Sequence, residues 1–214
     1  MQVTLKHATP LHCCYEAIRT CYQSFAYSDG GGRKDLELID RVANKYRHNS
    51  TLEHLFYNFE IKDISRACLQ ELARHRMASF SVKSSRYTLS ELKQEESFLP
   101  LYEENLARAQ KFLVFTGVEA VDKASVQALE NLRLLISSHV KNDYAKFAMP
   151  ESYKTSLAFS VNARSLQNFL SLRTDSKALW EIRQLAFALY KALPQDHQYL
   201  FSACLKDTSE TPSS

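Results

Sequence analysis

The chain has 214 residues and a formal net charge of +3, and only four of its residues are glycine, although average usage is about 7%. Because three of the four are consecutive, the sequence contains neither a G-x-G-x-x-G fingerprint nor a G-x-x-x-x-G-K-[ST] loop, which excludes the two common glycine-rich ways of binding a nucleotide. The small positive charge does not by itself indicate nucleic-acid binding, and no apolar run is long enough to cross a membrane.

The first predicted elements are a strand over 3–7 and a helix over 11–25, which begins after Pro10 and has apolar residues at helical spacing. The glycines of the segment 28–34 predict a flexible loop. We expect Asp35 to cap the next helix. The apolar residues expected on the buried side of that helix are Leu38, Ile39, Val42, Ala43 and Tyr46.

The segment from Ser50 to Glu53 matches a capping box and predicts a helix start. Alternating side chains over 55–61 then predict a strand. Asp63 or Ser65 is expected to cap a helix that ends at three basic residues, 74–76. The later predicted elements are an extended stretch around Phe80, Val82 and Tyr87, helices over 101–147 broken at Gly117, a strand over 153–161, a helix capped by Ser165 and ending at Arg173, and a helix over 177–193.

Strands and helices in this order predict an α+β fold with long helices and an antiparallel-leaning sheet. We expect a single domain over 1–205 and a disordered polar tail over 206–214. The five cysteines form no C-x-x-C pair, and the first residues lack the apolar core of a signal peptide. These features predict a cytoplasmic protein with free thiols.

The densest group of polar side chains lies over 74–88 and includes three arginines, a histidine and four serines. Hydroxyl and guanidinium groups at this density, as at Ser84, Ser85 and Arg86, make a phosphate cradle that needs no glycine. The alternative is a charged helix end followed by a solvated edge strand, since surface charges are usually unspecific.

A second polar group begins at Asn162 and continues with Arg164, Asn168 and Arg173. Arg164 and Asn168 are four residues apart and share one face of the predicted helix, and Arg173 follows about one and a half turns later. The alternative here is an ordinary amphipathic helix with a polar side.

A third group lies over 47–54 and contains two histidines and the carboxylate of Glu53. The spacing differs from H-E-x-x-H and no further ligand completes a set, so we predict no metal site. A helix start that offers backbone N–H groups to an anion is the simpler interpretation.

Together the three groups resemble the flavin-dependent thymidylate synthase family. That family's R-H-R-x7-S signature is matched by 74–76 and Ser84, and the match continues through 86–87. The segment 50–54 (STLEH) is similar to the family's [ST]-x-x-E-H, and 162–173 (NARSLQNFLSLR) is similar to N-A-R-S-x-x-N-F-x-x-x-R. The order and separations of the motifs fit across most of the chain.

The resemblance implies the family's own fold and reductive methylation of dUMP to dTMP for dTTP synthesis. It implies FAD as cofactor, NADPH as the reductant of FAD, methylenetetrahydrofolate as carbon donor, and a homotetramer with shared active sites. The positions that match FAD-binding residues are Ser50, Arg74, His75, Arg76, Asn162, Arg164 and Asn168. The positions that match dUMP-binding residues are Glu71, Arg74, Ser84, Ser85, Arg86, Lys146 and Arg173.

Arg173 matches the family's catalytic arginine, which stabilises negative charge on the uracil as N3 ionises. None of the five cysteines lies in the three polar groups, so no protein nucleophile is expected. The redox chemistry would then belong to the flavin.

The sequence departs from the family pattern at four positions. Many members have Asn where Ser81 stands and Glu where Val82 stands, and Val82 could contribute only its backbone. Glu71 stands where Gln is frequent, and a carboxylate beside a phosphate is unfavourable unless it is paired. Lys146 stands where Arg is frequent, which keeps the charge but loses the bidentate geometry.

Two other functions remain open from the residues alone. One is an RNA-binding module in which Phe80 and Tyr87 stack on bases beside the basic residues of 74–86. The other is a flavoprotein of the same fold with another substrate, since a fold does not determine a substrate. The resemblance favours the synthase, for which neither nucleic acid nor membrane is an expected partner.

Overall fold

The protein, in a computed structural model that describes residues 1–206, is built on a four-stranded antiparallel sheet. The strands are β1 (Gln2–Ala8), β2 (Phe56–Ser65), β3 (Ala78–Val82) and β4 (Lys154–Asn162), and they lie in the order β1-β2-β4-β3. The α-helices over the same residues are α1 (His12–Tyr22), α2 (Arg33–Ile39), α3 (Arg66–Ala73), α4 (Ser85–Thr88), α5 (Glu103–Ala109), α6 (Glu119–Ser137), α7 (Asn142–Ala145), α8 (Ala163–Arg173) and α9 (Trp180–Ala192). The predicted α+β class is confirmed.

The chain divides into two compact units. Among the described residues, unit 1 contains Met1–Ile61, Leu72–Phe80 and 158–206, and unit 2 contains Lys62–Glu71 and Ser81–Leu157. The single domain expected over 1–205 stays a prediction, and most of the expected tail, residues 207–214, lies outside the described residues. Within residues 1–206, no helix is both long and apolar enough to span a membrane.

The core of unit 1 includes a row of aromatic rings on the sheet. Phe59 of β2 stacks on Phe159 of β4 with ring centroids 6.3 Å apart, and Phe80 of β3 stacks on the other side of Phe159 at 5.4 Å. The alternation predicted over 55–61 is confirmed, because Tyr57, Phe59 and Ile61 are buried. Rings of this size bury large apolar areas and hold the strands that lead to the polar motifs.

One of the predicted helix caps is correct and one is wrong. Ser65 caps α3, because its hydroxyl accepts a hydrogen bond from the backbone N–H of Cys68 at 2.9 Å. Asp35 does not cap α2. The carboxylate of Asp29 accepts the N–H groups of Lys34 at 2.8 Å and Asp35 at 3.2 Å instead, because it stands before the helix where those groups point.

The caps predicted at Ser165 and at Ser50 are also wrong. Asn162 stands at the start of α8, and its side-chain oxygen accepts the N–H of Ser165 at 2.9 Å. The segment Asn49–His54 forms a 3-10 helix without a side-chain cap, so no capping box forms there. Its Glu53 instead forms a long-range ion pair with Arg164.

The glycine segment at 28–34 is held by hydrogen bonds to Asp35. The buried carboxylate of Asp35 accepts hydrogen bonds from the Ser28 hydroxyl at 2.6 Å and the Gly31 N–H at 2.9 Å, and it forms a salt bridge with Arg19. Gly31 has φ +93° and lies against the ring of Tyr15, so a side chain there would be strained. Burial alone would raise the pKa of Asp35, but the hydrogen bonds and Arg19 hold it well below its usual range.

Two tyrosines lie elsewhere than predicted. Tyr46 is exposed rather than in the core, because α2 continues as a π-helical turn over Asp40–Lys45 that shifts the helical spacing. Tyr87 lies in the short helix α4 and not in an extended stretch.

The break at Gly117 is confirmed, since that residue has φ +80° between α5 and α6.

Unit 2 has a separate apolar core around α6. Glu130 lies within α6 and is almost fully buried. It accepts hydrogen bonds from Arg133 at 2.7 and 2.8 Å, from the N–H of Phe98 at 3.0 Å and from the hydroxyl of Ser97 at 3.1 Å. The Arg133 hydrogen bonds, followed by those from Phe98 and Ser97, outweigh burial and lower the pKa of Glu130 to about 2.

We expect the stabilising contribution of Glu130 to depend on pH. Because its pKa is lower in the folded than in the unfolded protein, the contribution is complete above about pH 4.5 and is lost as the pH falls to about 2. Glu130→Gln should lower the free energy of unfolding by about 3 kcal/mol at pH 7, and the difference from wild type should shrink towards pH 2. Urea unfolding between pH 2.5 and 7 measures this, with exposed Glu104→Gln as the control. A pH-independent difference would contradict the prediction.

Candidate functional site

Unit 1 contains a cavity of about 1190 Å³ that gathers most of the predicted site residues. Four stretches of the chain line it: part of 43–53, the turn at 74–77, part of 159–173, and part of 200–204. Its volume exceeds the range of about 300–1,000 Å³ that is usual for ligand sites. The predicted residues that line it are Arg74, His75, Arg76, Asn162, Arg164, Asn168 and Arg173.

Two local structures carry these residues to the cavity. Helix α3 ends at Ala73, and the backbone N–H of His75 closes the turn on the carbonyl of Leu72 at 3.1 Å, so the basic residues follow directly after the helix. On the other side, Asn162 ends β4 and caps α8, which places Arg164 in the first turn of the helix and Arg173 in the last.

The cavity carries a strong excess of positive charge. Five arginines, at 47, 74, 76, 164 and 173, stand against one carboxylate, that of Glu53, among the described residues that line it. Arginines focused in a cleft attract anionic ligands and can hold phosphate or carboxylate oxygens in pairs. The arrangement therefore favours a phosphorylated ligand.

Two of the arginines are held by residues distant in sequence. Arg164 forms an ion pair with Glu53. The Nε of Arg173 donates a hydrogen bond to Nε2 of His75 at 3.0 Å. Such contacts restrict how the guanidinium groups can turn within the cavity.

Comparisons with known proteins agree with this site. The profile of a family described as thymidylate synthase complementing protein matches residues 4–197. A flavin-dependent thymidylate synthase of Helicobacter pylori is 67% identical over 207 residues, which cover 96% of this chain and 100% of that protein. The chain belongs to the flavin-dependent thymidylate synthase family. The predicted family and enzyme class are thereby confirmed.

Other similar proteins support the same assignment. A flavin-dependent thymidylate synthase of Wolinella succinogenes is 62% identical over 201 residues, covering 94% of this chain and 97% of that one. The crystal structure of thymidylate synthase X from Helicobacter pylori with FAD and dUMP has a TM-score of 0.94 at 66% identity and covers 97% of this chain and all of that one. A UMP/dUMP methylase, PolB from Streptomyces cacaoi, has a TM-score of 0.72 at 22% identity, covers 94% of each chain, and shows the shared fold alone.

The remaining predicted residues of this family member lie outside the cavity lining. Ser50 is exposed in the 3-10 helix next to Asn49, which does line the cavity. Glu71 lies in α3, where it is half-buried and takes part in an interaction within the protein. Together with Ser84, Ser85, Arg86 and Lys146, Glu71 belongs to unit 2.

Within unit 2, the predicted phosphate cradle is a short helical turn. Ser84 stands before α4 with its hydroxyl exposed and not used as a cap. Arg86 pairs with Asp143 of α7 at 2.7 Å, and Asn142 donates to the Arg86 carbonyl at 2.7 Å. Because Lys146 directly follows α7, the structure brings the basic residues Arg86 and Lys146 onto neighbouring elements.

Sequence reasoning missed several residues of the cavity. Arg47 and Glu53 lie in a segment that the sequence marked as polar but not as part of a large site. Cys204 and Leu200 reach the cavity from the end of the described chain, where no local pattern marks them. Burial raises the pKa of the Cys204 thiol, which disfavours the thiolate and makes it a poor nucleophile.

Proposed function

We propose that this protein methylates dUMP reductively to dTMP, with FAD in the cavity of unit 1, methylenetetrahydrofolate as carbon donor and NADPH as reductant. The observation that carries the proposal is the arginine-rich cavity in which two of the family's motifs, at 74–76 and 162–173, come together. The product would serve the synthesis of dTTP.

The residues present fit FAD. A dinucleotide carries a pyrophosphate, and the described residues that line the cavity include five arginines and one carboxylate. It is larger than most ligand sites, and the exposed side chains of Met77 and Leu172 add apolar surface for flat rings. We assign the binding of FAD to Ser50, Arg74, His75, Arg76, Asn162, Arg164 and Asn168.

When bound and reduced by NADPH, FAD would supply the hydride for the reaction. The protein's own contribution is to bind, orient and stabilise charge. Arg74, Arg76 and Arg164 would neutralise phosphate oxygens, and the pair with Glu53 would fix the direction of the Arg164 guanidinium. Among the described residues that line the cavity, the one cysteine is Cys204, and burial raises the pKa of its thiol, which disfavours the thiolate. This supports the proposal that the chemistry needs no protein nucleophile.

We assign the binding of dUMP to Glu71, Arg74, Ser84, Ser85, Arg86, Lys146 and Arg173. The exposed hydroxyl of Ser84 and the guanidinium of Arg86 suit a phosphate group. Arg173 would stabilise the negative charge that develops on the pyrimidine, which makes it the proposed catalytic residue.

The proposed assembly is a cytoplasmic homotetramer with active sites shared between subunits. Free thiols at all five cysteines support a reducing compartment. Light scattering of the purified protein tests the assembly, with four times the chain mass of 24.6 kDa expected. A monomeric mass in the active protein would exclude shared sites.

A visible absorption spectrum of the purified protein tests the function. We expect the bands of oxidised flavin, and we expect added dUMP to shift them. Flavin bands that do not respond to saturating dUMP would indicate a flavoprotein with another substrate. A colourless protein whose RNA binding falls steeply with salt would indicate the RNA-binding alternative.

Replacing Ser84 with alanine should weaken the binding of dUMP without abolishing turnover. The Ser84 hydroxyl is proposed to donate to the ligand and not to act as a nucleophile, so its loss removes a hydrogen bond worth about 1–3 kcal/mol to a charged group. We expect the KM for dUMP to rise about ten-fold or more in steady-state assays. The matched control is Ser137→Ala, at an exposed serine near the end of α6. Complete inactivity with normal dUMP affinity would contradict the assignment.

A further inference from the structure

The guanidinium group of Arg173 is oriented by a side chain that lies 98 residues away in the sequence. Its Nε donates to Nε2 of His75 at 3.0 Å. An arginine presents five N–H donors in a rigid planar fork, so a bond at Nε determines the plane in which the other four lie. This hydrogen bond therefore limits how the guanidinium of Arg173, on the last turn of α8, can turn.

His75 is itself held on the same face of α8. Its ring meets Phe169 edge-on, with the ring centroids 4.8 Å apart at 72°. Phe169 is buried and stands four residues before Arg173, so the two side chains are neighbours along one helical face. The backbone N–H of His75 closes the turn on the Leu72 carbonyl. The imidazole of His75 therefore packs against α8, and its Nε2 faces the guanidinium of Arg173.

The direction of the hydrogen bond identifies the form of the imidazole. A guanidinium has no acceptor and keeps its protons, so Nε2 of His75 must be the acceptor. The ring is accordingly neutral with its proton on Nδ1. This form is suited to holding a cation in place, whereas an imidazolium would offer a proton towards Arg173 and repel it.

We infer that His75, in addition to its place among the residues assigned to FAD, is a positioning residue, which acts on the reaction by orienting Arg173. The inference rests on the proposed function, in which Arg173 stabilises charge on the pyrimidine. A misplacement of a catalytic group by about 1 Å can cost about 100-fold in rate. The role therefore has a kinetic signature that differs from loss of cofactor.

The test compares His75→Leu, which removes the acceptor, with His75→Gln, whose side-chain oxygen can accept from Nε. His75→Leu is expected to lower kcat per bound flavin about 10- to 100-fold, with the KM for dUMP and the thermal unfolding temperature near those of wild type. His75→Gln should recover most of that loss. His12→Leu, at an exposed histidine of α1, is the matched control and should leave turnover unchanged.

A double-mutant cycle with Arg173→Ala gives a second readout. If His75 acts through Arg173, the double variant should turn over no more slowly than Arg173→Ala alone. The inference is overturned if the two losses in kcat per bound flavin multiply, or if His75→Gln is as slow as His75→Leu. A wild-type protein without flavin would contradict the proposed function instead, and the two failures are thus distinguishable.

Discussion

Arg173→Ala is expected to lose nearly all turnover while keeping FAD bound. The arginine stands in the last turn of α8, lines the cavity, and is oriented by His75. Preorganised donors aimed at developing charge are worth about 100- to 1,000-fold in kcat when one is removed. We expect a fall of that order, because in the proposed function alanine would leave the pyrimidine without the cation of Arg173.

The measurement is kcat at saturating substrates, together with the flavin spectrum of each variant. The matched control is Arg41→Ala, an exposed arginine that does not line the cavity. Arg173→Lys should fall between the two, because lysine keeps the charge but cannot reproduce the planar fork. Turnover at the wild-type level in Arg173→Ala would remove Arg173 from the catalytic role.

Asp35→Asn is expected to be the most destabilising of the substitutions considered. Asp35 is fully buried and forms a salt bridge with Arg19, of which only 4% is exposed. It also accepts hydrogen bonds from Ser28 and Gly31, which hold the glycine segment at 28–34. Removing one partner leaves a buried cation uncompensated, which costs about 3–5 kcal/mol.

Urea unfolding at pH 7 measures this loss in Asp35→Asn against the exposed control Glu37→Gln. For a protein of this size, each kcal/mol corresponds to about 2–4 °C in Tm. The double variant Arg19→Met with Asp35→Leu should lose less than the sum of its single changes, because no buried charge is left unpaired. The Arg19–Asp35 pair contributes little if the losses in free energy of unfolding add strictly in the double variant. The same conclusion follows if Asp35→Asn loses no more stability than the control Glu37→Gln.

The sequence determined the family, the fold class and the positions of most elements. The motifs at 50–54, 74–84 and 162–173 could be recognised because their residue types and spacings are local. The alternation in β2 and the break at Gly117 could be predicted because burial and φ angle act on single residues. The caps were predicted less well, since Asp29 and Asn162 compete with nearby residues for the same N–H groups.

Only the tertiary structure decided which polar residues meet. Glu53 pairs with Arg164 across 111 residues and His75 with Arg173 across 98, and no local pattern marks either contact. Packing of α8 against the 3-10 helix at Asn49–His54 brings the first pair together. The sequence therefore determined which groups this protein has for its chemistry. The tertiary structure determined how they are held, because the orientation of a long arginine side chain depends on partners that reach it only after the chain has packed.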